Sequence, residues 1–148
     1  MNSDEFYMQK AIDLAKTAQK KGEVPIGAVV VLNDKIIGKG FNQRECKRNA
    51  ILHAEVIAIS AACKRMKDWR LDGATLFVSL EPCMMCLGAA LNARIERVVF
   101  GAYDTNGKHL KEQEVSSLNH NLVVQGGVLE EECKKIIQEF FKEKRVKK

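Results

Sequence analysis

A chain of 148 residues with 46% apolar and 29% charged side chains holds about one domain's worth of core, and it excludes collagen, coiled coil and wholesale disorder. No apolar run reaches the ~18 residues of a membrane-spanning helix, so no membrane partner is expected. The net charge of +5 is confined to residues 134–148, which carry seven basic and two acidic side chains, so residues 1–133 sum to zero.

In chain order, Asn2 or Ser3 caps a first helix whose positive end suits Asp4 and Glu5. Phe6, Ala11, Leu14, Ala15 and Ala18 form its apolar stripe, and Gly22 stops it. Residues 26–32 are a β-branched run too short for a helix and read as a buried strand. Asn33-Asp34 turns the chain, and residues 35–38 return as a hairpin partner. After a polar loop at 41–50, the pattern predicts a helix over 54–66, a strand over 74–79, a helix over 83–93 and a strand over 97–101. A shorter strand over 122–124 precedes a final helix with Cys133, Ile136, Ile137, Phe140 and Phe141 on its apolar side. The order predicts a single domain over 1–148: a three-layer α/β/α sandwich around a mixed five-stranded sheet, with a basic C-terminal helix over about 129–148. The acidic N-terminus lacks the apolar stretch of a secretory signal, and five cysteines cannot all pair. Both favour a reducing, cytoplasmic setting.

Two motifs carry chemistry: His53-Ala54-Glu55 and Pro82-Cys83-Met84-Met85-Cys86. Each falls at a predicted helix start. Cys83 and Cys86, three apart, share one helix face. A helix N-terminus favours thiolates, the form that binds zinc. His53 and Glu55 reach one site only if the segment straddles a helix start, with His53 in the entering chain and Glu55 in the first turn. Three protein ligands and one spare carboxylate describe a catalytic zinc site with a water in the fourth position, because a structural site is closed by four protein ligands. Glu55 could take a proton from that water and deliver it to a leaving group. Attack by zinc-bound hydroxide on an amidine-like carbon is hydrolytic deamination. His-x-Glu alone is common, and CxxC alone also fits thiol–disulfide chemistry. Together they form the H-x-E…P-C-x-x-C signature of the zinc deaminases.

Further residues carry a closer likeness: Glu23-Val24-Pro25-Ile26-Gly27-Ala28-Val29, Asn42, Trp69-Arg70-Leu71, the run from Thr75 to Cys86, Arg97 to Ala102, Asp104, Asn119-His120, Gly126 to Leu129 and Phe140-Phe141. In these the chain resembles the bacterial tRNA-specific adenosine deaminases nearly end to end. The resemblance implies a cytidine-deaminase-like fold, a homodimer, and conversion of the wobble adenosine of an arginine tRNA to inosine. RNA, met at the anticodon stem-loop, is the expected partner, not DNA. One Zn2+ per chain would be held by His53, Cys83 and Cys86, with Glu55 shuttling protons. Asn42 would hydrogen-bond the flipped base, Val24, Pro25 and the Ala54 backbone would line its pocket, and Asp104 would touch a neighbouring nucleotide. Asn119 and Phe141 also fall where the family meets RNA. Residues 105–118, TNGKHLKEQEVSSL, depart from the family's Gly/Ala-rich stretch by being shorter and more charged.

Two other functions share these residues. A deaminase of a free base or nucleoside (guanine, cytosine or cytidine) uses the same zinc without a basic tail. A non-catalytic RNA-binding module would close its zinc with a fourth side chain. Trp69 reads as a core anchor, and Met84-Met85 as ordinary helix packing. Cys46, Cys63 and Cys133 read as plain thiols, His109 and His120 as surface residues, and Arg44, Lys47 and Arg48 as solvated.

Overall fold

The computed structural model describes residues 2–105 and 121–146. Helix α1 (Ser3–Lys20) opens with a full capping box: the Asn2 side chain accepts from the Glu5 N–H at 2.8 Å, and Glu5 Oε1 accepts from the Asn2 N–H at 3.2 Å. Its buried side is Met8, Ala11, Ile12, Ala15 and Ala18. Phe6, expected in that stripe, stands 48% exposed under the ammonium of Lys10. The hairpin β1 (Gly27–Leu32) and β2 (Lys35–Phe41) turns at Asn33 and Asp34, both left-handed. Then come α2 (Ala54–Met66), β3 (Thr75–Leu80), α3 (Met84–Asn92), β4 (Arg97–Ala102), β5 (Val123–Gln125) and α4 (Glu130–Val146). No helix among the described residues is long and apolar enough to cross a membrane.

The sheet order is β2-β1-β3-β4-β5. β1 is antiparallel to both neighbours, whereas β3, β4 and β5 run parallel, so the sheet is mixed as expected. Alternation along the strands feeds two cores. Ala28, Val30, Leu76, Val78, Val98 and Phe100 pack with Ala54, Ala58 and Ala62 of α2 and Leu87 and Ala90 of α3. Val29, Val31, Phe77 and Val99 pack on the other face with Met8, Ala11 and Ile12 of α1 and Cys133 and Ile136 of α4. Helices therefore cover both faces. Asp4 of α1 and Arg97 of β4 are joined by a two-pronged ion pair, one prong at 3.0 Å.

Gly40 lets α2 lie against β2 at backbone distance. A Cβ there would stand 2.3 Å from Ala54 O and 2.8 Å from Ala58 N. Only a residue without a side chain leaves room for the helix turn that follows His53.

Candidate active site

Two helix starts meet at one point. His53 is the N-cap of α2 and Cys83 the N-cap of α3, both with extended backbone (φ −75°, ψ 155° and φ −74°, ψ 175°) and neither spending its side chain on capping. His53 thus lies in the entering chain and Glu55 in the first turn, as their spacing demands. His53 Nδ1 is 3.8 Å from Cys83 Sγ and 3.5 Å from Cys86 Sγ, and the three donor atoms lie within 4.8 Å of one another. The Cys86 thiol and the His53 imidazole both stabilise an ionised Cys83, and against the opposing effect of burial they hold it at about 3. Cys86, left with the shared proton and buried near Glu55, is pushed up. The bond to Cys83 raises His53 against a smaller desolvation effect, with Glu55 adding to the rise.

Glu55 is buried, and its Oε1 has no hydrogen-bond partner among the described residues. Burial raises its carboxyl, while the charge of His53 opposes this. An imidazole nitrogen with two sulfurs is a zinc donor set, and a buried unpaired carboxylate oxygen costs roughly 1–3 kcal/mol or more. Both features fit a metal-activated water beside Glu55.

Of these residues His53 lines a cleft of about 870 Å³, and Glu55, Cys83 and Cys86 lie behind it. Val24, Asn42 and Arg44 line it together with His53. Leu80, Ala102, Tyr103 and Asp104 follow from the ends of β3 and β4, and Lys134, Ile137, Gln138, Phe141 and Lys144 from α4. The loop before His53 is tied down. Buried Glu23 accepts from the N–H groups of Glu45 at 3.0 Å and Cys46 at 2.6 Å. Desolvation alone would raise Glu23, but these two N–H groups and Arg44 outweigh it and hold the carboxyl below its ordinary value. Asn42 donates to Val24 O at 3.3 Å and accepts from the Arg44 N–H at 3.2 Å. Across the site, Glu81 Oε1 accepts from the Asp104 N–H at 3.1 Å.

Of the residues singled out in the sequence, Val24, Asn42, His53, Asp104 and Phe141 share this cleft. Pro25 and Ala54 are buried and do not line it; they back it through their neighbours Val24 and His53. Asn119, His109 and His120 lie outside the described residues. Two expectations need correction. Trp69 is not a core anchor: it is 55% exposed, with the Arg70 and Arg94 guanidinium carbons 5.2 and 5.8 Å from its ring centroid. Met84 and Met85 are not packed inside α3 but stand 49% and 37% exposed.

Sequence reasoning missed Tyr103, Lys134 and Gln138 in the wall. A signal existed for α4, because 134, 137, 138, 141 and 144 follow helical spacing along one face, beside the buried 133, 136 and 140.

Comparison with known proteins agrees with this geometry. The MafB19-like deaminase family matches residues 2–145. The tRNA-specific adenosine deaminase of Bacillus subtilis (strain 168) is 50% identical over 154 aligned positions, covering 100% of this chain and 94% of the relative. A solved structure from studies of A-to-I editing by tRNA A34 deaminases superimposes with a TM-score of 0.82 at 36% identity, covering 88% of this chain and 98% of that one. A guanine deaminase from Bacillus subtilis aligns at 39% identity and a TM-score of 0.67 over 72% of this chain and 68% of its own. The fold is thus the cytidine-deaminase-like sandwich, and on full-length likeness this chain belongs to the tRNA-specific adenosine deaminases.

Proposed function

We propose that this protein converts adenosine to inosine at the wobble position of a tRNA, by hydrolysis. The observation that carries the reading is the His53, Cys83 and Cys86 donor set beside buried Glu55, whose Oε1 has no partner among the described residues, with His53 facing a cleft walled by Lys134, Phe141 and Lys144 of α4. An arginine tRNA is the isoacceptor the resemblance implies.

Adenosine C6 gains the oxygen of water, its bond to the amino nitrogen breaks, and ammonia leaves. One Zn2+ per chain, held by His53, Cys83 and Cys86, would supply Lewis-acid activation of the water. Glu55 accepts a proton from the attacking water and returns it to the departing amino group. Its burial fixes the carboxylate in place. The loop tethered by Glu23 presents Asn42 to the base edge, and Val24 packs beside it. Asp104, with its backbone held by Glu81, meets an adjacent nucleotide, and Asn119 is a further RNA contact that the resemblance implies. Phe141 and the basic end of α4 face the anticodon stem.

We read the chain as one domain acting as a homodimer. The exposed Met84 and Met85 on α3, with Ile51 54% exposed ahead of α2, favour a covered surface beside the site. A tRNA substrate and thiol ligands suit a cytoplasmic reaction. The test is turnover of an anticodon stem-loop against free adenosine and free guanine, with zinc measured per chain. Inosine formed in the stem-loop, with free guanine untouched, is the expected result. Xanthine from guanine with an inert stem-loop would move the assignment to a free-base deaminase.

A further inference from the structure

Tyr103 lines the cleft, yet the proton chemistry has no use for it. The residue follows β4 and directly precedes Asp104. Although 55% exposed, the ring is braced: it stands edge-on to buried Phe100, with centroids 4.9 Å apart and planes at 88°. Gly126 makes this arrangement possible. A Cβ there would lie 2.3 Å from Phe100 Cζ and 2.9 Å from Tyr103 Cζ, so any larger residue would dislodge the pair. An exposed aromatic held this way has little rotamer freedom left to lose on binding.

The surroundings identify what the ring would take. Arg44, Lys134 and Lys144 line the same cleft from two different elements. Aromatic rings among cations are the composition of single-stranded nucleic-acid sites, where bases stack and phosphates meet lysine and arginine. Size points the same way. About 870 Å³ lies near the top of the ~300–1,000 Å³ range of pockets that enclose whole drug-sized ligands, well beyond the needs of one base. The target base must approach His53, Cys83 and Cys86, so the remaining space serves its neighbours in the strand.

Resting on the tRNA reading above, we propose that Tyr103 is a stacking platform for the base of the nucleotide next to the target adenosine. The phenol hydroxyl is dispensable, and the ring face is what binds. Tyr103 therefore sets how tightly, and with which neighbouring base, the loop is held.

A cycle between protein and RNA changes tests this. Tyr103→Leu keeps an apolar side chain but removes the ring. An abasic site placed before or after the target removes one candidate partner. Stacking on an aromatic is lost at a cost of about 5- to 150-fold per base, so Tyr103→Leu should raise KM for the stem-loop by that factor with kcat little changed. At one flanking position the abasic RNA should show a similar loss, with no further loss when the two changes are combined. Tyr103→Phe should restore both affinity and coupling. Thermal midpoint and zinc content report whether the Phe100 packing survives. Losses that multiply at both flanking positions, or a wild-type KM in Tyr103→Leu, would overturn the stacking. An active wild type with multiplying losses removes the stacking alone, whereas a wild type inert on the intact stem-loop removes the tRNA reading and the stacking with it.

Discussion

Replacing Gly40 by alanine is expected to damage catalysis from a residue that touches no reactant. The new Cβ would lie 2.3 Å from Ala54 O, whereas ordinary contact begins at 3.4 Å, and it would also press on Ala58 N at 2.8 Å. Both obstacles are backbone, which cannot rotate away, so β2 and the first turn of α2 must part by about 1 Å. Ala54 sits between His53 and Glu55, so the shift moves the proposed metal ligand and the proposed proton carrier together, relative to Cys83 at the start of a different helix. Misplacement of that size costs roughly 10²-fold in rate. Overpacking of a filled core costs about 1–3 kcal/mol, a fall of roughly 2–12 °C in thermal midpoint for a chain of this size. The assay is kcat/KM on the anticodon stem-loop, with the thermal midpoint and zinc per chain measured in parallel. Wild-type values for kcat/KM and midpoint would refute the reasoning, and a lowered midpoint with intact kcat/KM would show that the strain is relieved without moving His53 or Glu55.

Glu55→Gln should keep zinc and lose at least ~10²–10⁴-fold in turnover, since a neutral amide cannot carry the proton; near-normal turnover would remove Glu55 from the chemistry. Glu23 titrates below its ordinary value in the folded chain, so its ionised form adds stability above the unfolded value, and that stability is lost as pH falls through the folded one. In urea unfolding, Glu23→Gln should therefore be less stable than wild type above about pH 5, with the gap closing on acidification; a constant gap would count against the tether. Asn42→Ala should weaken RNA turnover by an amount worth ~1–3 kcal/mol, and unchanged turnover with a lower thermal midpoint would mean that Asn42 only braces Val24 and Arg44. Truncation after Phe141 removes five basic residues and one acidic one. RNA binding should weaken, and the salt slope should flatten by about two contacts at roughly 0.7–0.9 each, with zinc unchanged; equal affinity and slope would make the tail an ordinary solvated end.

The meeting of His53, Cys83 and Cys86 was the most legible part of the molecule. His, Cys and Glu at ligand spacing are chemically scarce, and the need for His53 and Glu55 to reach one point already forced a helix start between them. Element order and both sheet faces followed from strands such as 27–32 and 75–80, where burial is continuous. The exceptions are instructive. In α1, Phe6 points about 200° away from Met8, and it is Met8, three, four and seven positions before Ala11, Ile12 and Ala15, that packs with Phe77 and Val99. Trp69 is held outward partly by Arg94, a residue 25 positions away that no local pattern connects to it. β5, expected over 122–124, runs over Val123–Gln125, one residue later, because its three exposed residues give no alternation to fix the bounds. Lys134 and Gln138 are polar side chains that by themselves read as solvated, and only their helical spacing with Ile137, Phe141 and Lys144 marks them as one face.

The neck of the loop before α2 has a consequence for how such a protein can change. Gln43 donates to Leu52 O at 3.0 Å, closing the excursion between them before the chain reaches His53. Insertions or deletions at the tip of that loop are absorbed above the neck, and longer closed loops carry only a small entropic penalty. Cys83 and Cys86, for their part, are positioned by β3 and the start of α3, with no long loop between. The parts proposed to meet RNA (the loop, the exit of β4 and the outer face of α4) can therefore be exchanged while His53, Cys83 and Cys86 stay in register. A designer seeking a new RNA context would recut residues 44–51 and α4, and leave the two helix starts untouched.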